Sequence, residues 1–198
     1  MSQMSRECIK ESDKRLVTKS PDIVIAISGT PGSGKSTCAR KLAEIYKLRY
    51  ISAGKLFRQI AEEKGLSLED LHKLAEQNYE IDKYVDRRTL LEAKKGNAVI
   101  EGHLTAWILK DIADVKIFLK ASLEERARRV SRRDNISVKE AKEKIIFREQ
   151  SNRQRFLKIY GIDISDWSIF DLIIDTTNIP PDAVIKIIST YISYYMRP

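Results

Sequence analysis

Ile23-Val24-Ile25-Ala26-Ile27-Ser28-Gly29-Thr30-Pro31-Gly32-Ser33-Gly34-Lys35-Ser36 runs from a continuous apolar segment straight into a glycine-rich turn. Beyond the turn, Ala39, Leu42, Ala43 and Tyr46 recur at helical spacing, so the segment reads as strand, loop and helix. Its loop, Gly29 to Ser36, satisfies the pattern GxxxxGK[ST]. Glycines let the main chain curl so that successive N–H groups converge on phosphate oxygens, and the helix that follows adds the positive end of its dipole. In such a loop Lys35 reaches the β and γ phosphates of a nucleoside triphosphate and the Ser36 hydroxyl ligates Mg²⁺. The expected ATP-binding set is therefore Gly29, Thr30, Pro31, Gly32, Ser33, Gly34, Lys35, Ser36 and Thr37. Thr37 and Cys38 also read as packing residues of the helix. A βα turn without a ligand is the plain alternative, and the flanking strand and helix argue against it.

Further short apolar runs lie at Tyr50 to Ala53, Ala98 to Ile100, Val115 to Leu119 and Leu172 to Ile174, with helical stretches between most of them. That alternation predicts a parallel sheet covered by helices on both faces, and with the glycine loop between the first strand and helix the expected fold is α/β, the three-layer P-loop NTPase fold with a five-stranded parallel sheet flanked by helices. Ser122 with Glu125, and Ser137 with Glu140, have capping-box spacing and mark two helix starts. Pro180 and Pro181 punctuate the start of a last amphipathic helix, Ala183 to Tyr195. Residues 1–20 show mixed charge and little periodicity and read as a flexible tail ahead of one domain over 21–198. No internal repeat interrupts that domain.

A chain of 198 residues, 42% hydrophobic and 32% charged, suffices for one substantial core and falls short of two ordinary domains. Its formal net charge of +8 attracts anions without saying which kind. Cys8 and Cys38 have neither disulfide-framework nor zinc-site spacing, which favours a reducing compartment. With no apolar run of membrane length and a polar N-terminal segment, the expectation is a cytoplasmic monomer that works on small molecules.

The loop leaves the branch of the superfamily open. A switch GTPase needs DxxG and NKxD, and neither string occurs. A motor wants an apolar strand ending in Asp-Glu, whereas Ala98-Val99-Ile100-Glu101-Gly102 ends in a lone carboxylate. Small-molecule kinases remain. Ile51-Ser52-Ala53-Gly54-Lys55-Leu56-Phe57-Arg58 resembles the SAGxxFR segment of nucleoside monophosphate kinases. Together with Ile81 to Arg88, Val99 to Gly102, Arg126 to Arg133 and Tyr160 to Ile164, it makes the stretch from Ile23 to about Thr177 similar to short, archaeal-type cytidylate kinases. The resemblance implies an acceptor-binding insert at about 55–97 and a helical lid at about 131–166. It also implies ATP with Mg²⁺ as donor and CMP or dCMP as acceptor.

Arg126, Arg129 and Arg133 fall at i, i+3 and i+7, and Arg148 and Arg155 repeat the i, i+7 spacing on the next helix. Guanidiniums clustered on one face suit a transferring phosphoryl group, whose charge spreads over several oxygens. A solvated basic face with Glu124, Glu125, Glu140, Glu143 and Glu149 as partners is the plainer possibility. The resemblance assigns Arg129, Arg133, Arg148 and Arg155 to donor and acceptor phosphates, with Arg132 a weaker candidate. It gives Arg58 to the acceptor phosphate and places Ser52, Gly54, Asp82, Asp86, Gly102 and His103 around the acceptor. A carboxylate at Asp82 or Asp86 can accept from the exocyclic amine of cytosine, unless Arg87 or Arg88 neutralises Asp86. Trp107 reads as a packing residue.

The chain departs from related kinases at three positions: His103 stands where many carry arginine, and Lys55 and Asn152 stand where acidic residues are common. A monophosphate acceptor is already ionised at neutral pH, so no general base is needed. Alignment and charge stabilisation then carry the reaction, through the loop amides, Lys35, Mg²⁺ on Ser36 and the arginines, with Glu101 orienting a water on the metal. Other acceptors, UMP, AMP or a small metabolite, and a regulatory NTPase that binds nucleic acid are the competing readings.

Overall fold

The computed structural model describes residues 23–196, so the expected tail at 1–20 lies outside the described residues. Strand β1 (Val24–Gly29) is buried along its length and apolar from Val24 to Ile27, as suits a strand with helices on both faces; Ile25, Ala26 and Ile27 are fully buried. The chain continues through α1 (Lys35–Tyr46), β2 (Arg49–Ser52), α2 (Ala53–Glu63), α3 (Leu68–Gln77) and α4 (Glu80–Ala93). It returns to the sheet as β3 (Ala98–Glu101), the single turn α5 (Thr105–Ile108) and β4 (Val115–Lys120). Two long helices, α6 (Leu123–Asp134) and α7 (Val138–Tyr160), precede β5 (Leu172–Asp175) and α8 (Pro181–Tyr195).

All neighbouring strands pair in parallel in the order β2-β3-β1-β4-β5. The five strands expected from the apolar runs are all present, each displaced by no more than a residue at either end. Helices α1 and α8 bury Leu42, Ile188 and Ile192 against one face of the sheet. On the other face Ala93 of α4 and Ala106 of α5 pack on Ala26 and Ile100. Both capping boxes form: Ser122 Oγ accepts from the Glu125 amide, and Ser137 Oγ from the Glu140 amide.

Two assemblies stand outside this sandwich. Helices α2, α3 and α4 share a small core of their own, built on Phe57, Ile60, Leu71, Ile81 and Val85. Helices α6 and α7 close another around Ala127, Val130, Ala141 and Ile145. Between the two assemblies lies a cleft of about 700 Å³ lined by, among others, His72, Arg133 and Arg148. Trp107 is core, edge-on to Phe118 and Phe170, as its composition context suggests.

Candidate active site

The glycine loop takes its shape from positions where no side chain fits. Gly29 has φ +148°, and a Cβ there would lie 2.0 Å from the Leu119 carbonyl oxygen. Gly32, at φ +80°, presses against Arg126, whose main-chain oxygen would be 2.9 Å from an added Cβ. The loop thus follows the ends of β4 and α6 closely. Lys35 is buried and donates to the Thr30 carbonyl at 2.8 Å. Burial lowers its ammonium from the ordinary lysine value to about 8; Glu101 opposes that shift, and Arg148 and Arg126 add to it. Two loop hydroxyls, Thr30 Oγ1 and Ser33 Oγ, are buried with no hydrogen-bond partner among the described residues.

At the foot of the loop, Glu101 Oε1 accepts from Ser36 Oγ at 3.0 Å, from Tyr50 OH at 3.2 Å and from Ser52 Oγ. The carboxylate is 3% exposed, so three hydroxyls stand in for the water it has lost. Ser52 Oγ also accepts from the Lys55 amide and so caps α2. Ser36 and Glu101 are hard oxygen donors at hydrogen-bond distance, a pair suited to Mg²⁺ that retains waters and takes phosphate oxygens. Among the described residues no group of three or more His, Cys, Asp or Glu side chains is placed to hold a metal ion. Thr37 is exposed on α1, contrary to its reading as a packing residue, while Cys38 is buried as expected.

The arginines separate into two groups. Arg126 and Arg129 reach the loop but spend their donors on protein. Arg126 bonds Ala121 O, Pro31 O and Glu149; Arg129 bonds Glu125, Thr176 and, at 3.5 Å, Gly32 O. Thr176, which no sequence pattern marked, also donates to the Ser33 carbonyl, so β5 is tied to the loop as well.

Arg58, Arg133 and Arg148 form the second group. Arg133 is exposed and bidentate to its neighbour Asp134. Among the described residues Arg58 and Arg148 have no hydrogen-bonded or ion-paired acceptor, and Arg148 Nε is buried. Burial lowers Arg148 to about 10, and the charges of Arg133 and Arg58 push it further in the same direction. Arg58 also lies against Gly54, where a Cβ would be 3.7 Å from its Nη1. Unpaired guanidiniums from α2 and α7 that repel one another set up a positive field able to attract an anion. Arg132 on α6 is exposed and adds nothing to this group.

Asp82 and Asp86 share one face of α4, as their spacing requires, but have different partners. Asp82 is buried and ion-paired with Arg155 of α7 at 2.7 Å. Arg87 and Arg88 are exposed and do not pair with Asp86; instead Tyr160 OH donates to Asp86 Oδ2 at 2.6 Å. Burial raises the Asp86 carboxyl to about 7 against the lowering effect of that hydrogen bond. Gly102 is packed so closely that a Cβ would meet Thr105 Oγ1 at 2.5 Å and Ala53 Cβ at 2.9 Å. It turns the chain after β3 and delivers His103, whose Nδ1 lies 3.1 Å from Asn152 Nδ2. Burial holds His103 well below the ordinary histidine value, and Lys35 and Arg148 deepen that shift.

Ser52, Gly54, Arg58, Glu101, His103 and Arg148 thus converge beside the glycine loop. Asp82 and Arg155 bind each other, and Arg133 turns to Asp134. Tyr50, His72, Tyr160 and Thr176 were missed, because isolated residues of these types have no sequence signature.

A glycine loop on a five-stranded parallel sheet, facing a cluster of unpaired arginines, defines a P-loop kinase. Solved structures with the same fold include shikimate kinases from Acinetobacter baumannii (TM-score 0.57, 18% identity, covering 88% of this chain and 96% of that one) and Bacteroides thetaiotaomicron (TM-score 0.59, 13% identity, 86% and 98%). At those identities the likeness concerns the fold alone. Residues 24–178 match the model of the cytidylate kinase-like family, and the chain belongs to that family. It is 51% identical over 175 residues to the cytidylate kinase of Sulfurisphaera tokodaii, covering 88% of this chain and 97% of that protein. Cytidylate kinases of Staphylothermus marinus (48% identity over 175 residues, 88% and 99% covered) and Pyrococcus horikoshii (51% over 172 residues, 87% and 89%) are similarly alike.

Proposed function

We propose that this chain transfers the γ-phosphoryl group of ATP directly to CMP, and to dCMP, giving ADP and the cytidine diphosphate. The observation that carries the reading is identity of about half the residues, over nearly full length, with proteins named cytidylate kinase. The site chemistry supports it. Buried Lys35 exchanges the Thr30 carbonyl for the β and γ phosphates, and a triphosphate restores the charge that burial disfavours. Ser36 and Glu101 would hold Mg²⁺, which when bound would supply neutralisation of phosphate charge. Arg58 and Arg148 grip the acceptor phosphate, and Arg133 joins them by leaving Asp134.

Helices α2 to α4 form the acceptor-binding unit in this reading, and α6 with α7 form the lid. The acceptor oxygen is already an anion, so these residues align and stabilise rather than remove a proton. Closure of the two units over the cleft excludes water, which would otherwise hydrolyse ATP. Once ionised, Asp86 offers Oδ1, which no hydrogen bond among the described residues engages, to the cytosine amine, while Tyr160 donates to the other oxygen. The test is turnover of ATP and Mg²⁺ with CMP, dCMP, UMP, AMP or no acceptor. Diphosphate formation confined to the cytidine nucleotides supports the proposal; hydrolysis indifferent to acceptor overturns it.

A further inference from the structure

Arg155 is 2% exposed and uses every donor it has. Nε and Nη2 donate to Asp82, Nη1 to Ser151 Oγ and His72 Nδ1, and Nη2 again to Asn152 Oδ1. A guanidinium has five N–H groups and no acceptor, so it has none left for a phosphate and dictates the polarity of each partner. His72 Nδ1, at 3.3 Å, must be an acceptor, which puts the ring proton on Nε2. Asn152 must turn Oδ1 toward Arg155, which leaves Nδ2 facing His103 Nδ1 at 3.1 Å. An amide nitrogen only donates, so His103 also carries its proton on Nε2.

These are the two histidines of the chain, and in both the Nε2 atom is buried with no hydrogen-bond partner among the described residues. A buried N–H without an acceptor is costly, and two such groups set by one arginine, near a third buried orphan donor at Arg148 Nε, point to a shared anionic ligand. His72 lines the cleft with Arg133 and Arg148 and lies against Phe57, the ring centroids 4.8 Å apart and the planes tilted by 33°. His103 lies in the field of Lys35 and Arg148.

We infer that Arg155 is a positioning residue that fixes His72 and His103 as Nε2–H tautomers, making them two neutral donors for oxygens of the acceptor nucleotide beside Arg148. The inference rests on the reading of this cleft as the acceptor's site. Neutral donors suit a place already crowded with cations. They add hydrogen bonds without adding to the repulsion among Arg58, Arg133 and Arg148.

Two-bond proton–nitrogen spectra of protein labelled with ¹⁵N-histidine read the tautomers directly, and H72N and H103N assign the two rings. Both rings are expected as Nε2–H, and both are expected to shift when CMP is added. Asn152→Asp places an acceptor opposite His103 while leaving an oxygen for Arg155, so His103 alone is expected to switch to Nδ1–H. That variant spares the Asp82–Arg155 pair and is expected to fold. His72→Phe keeps the ring contact with Phe57 and removes the Nε2–H donor together with the Nδ1 acceptor of Arg155; the KM for CMP is expected to rise about 10- to 100-fold with kcat little changed. An Nδ1–H tautomer on either wild-type ring, or an Asn152→Asp spectrum identical to wild type, overturns the inference. So does a His72→Phe enzyme with unchanged KM for CMP. The tautomers do not depend on turnover: wild-type protein with both Nε2–H rings and no CMP phosphorylation refutes the acceptor reading while Arg155 keeps its positioning role.

Discussion

Removing one member of the Asp82–Arg155 pair tests whether α4 and α7 are held together as described. The two side chains are 6% and 3% exposed and meet at 2.7 Å and 3.3 Å. Arg155→Ala strips Asp82 of its counter-charge and also leaves Ser151, Asn152 and His72 without their donor. Loss of one partner from a buried pair costs about 3–5 kcal/mol. A whole domain is stable by about 5–15 kcal/mol, so the variant loses a large share of its stability. Asp82→Leu alone is expected to cost a similar amount, since it strands a buried guanidinium. The double variant Asp82→Leu, Arg155→Met puts apolar groups in both places and is expected to recover about 1.5–3 kcal/mol relative to the sum of the single losses. Urea unfolding, with its slope checked for two-state behaviour, measures wild type, Arg155→Ala, and the double variant with both of its own single variants, Asp82→Leu and Arg155→Met. A loss below about 1 kcal/mol for Arg155→Ala, or strict additivity in the cycle, refutes the argument.

Gly29→Ala forces a Cβ to within 2.0 Å of the Leu119 carbonyl and should lower stability by more than about 3 kcal/mol, read by urea unfolding; a loss under about 1 kcal/mol counts against the loop geometry. Asp86 holds its proton up to about pH 7 when folded but releases it near the ordinary aspartate value when unfolded, so the folded state binds more protons in between. Stability from this group is therefore complete in acid and declines as pH rises toward 7, and Asp86→Asn should flatten that slope. Lys35 must be charged to hold a triphosphate, so ATP affinity should weaken as pH climbs through about 8; calorimetric titration across that range checks it, and a flat profile contradicts it.

Local signals were legible. The glycine loop is contiguous, its glycines have one steric meaning, and the strand and helix around it follow from periodicity. Ser122 and Ser137 declared two helix starts because a cap acts within a few residues. The arginine spacing likewise disclosed one basic face on α6. What it could not disclose was where each fork points. Arg126 and Arg129 bind main-chain carbonyls of Pro31, Gly32 and Thr176, and carbonyls leave no mark in a sequence. Arg155 gathers partners from α3, α4 and its own helix, separated by as many as 83 positions. Ser151 and Asn152, one turn before it, were the faint clue that its surroundings are polar and buried. Glu101 was legible as a strand-end carboxylate, but its ring of Ser36, Tyr50 and Ser52 exists only once β2 lies beside β3.

The central claim is that a phosphoryl group passes straight from the glycine loop to an acceptor held by Arg58 and Arg148. Following the radiolabelled γ-phosphate of ATP through a single turnover with CMP and Mg²⁺ tests it most directly, with Lys35→Ala as the control. The label should appear in CDP, with little as inorganic phosphate, and Lys35→Ala should give neither while remaining folded. Label released as inorganic phosphate at the same rate with or without CMP would contradict the account.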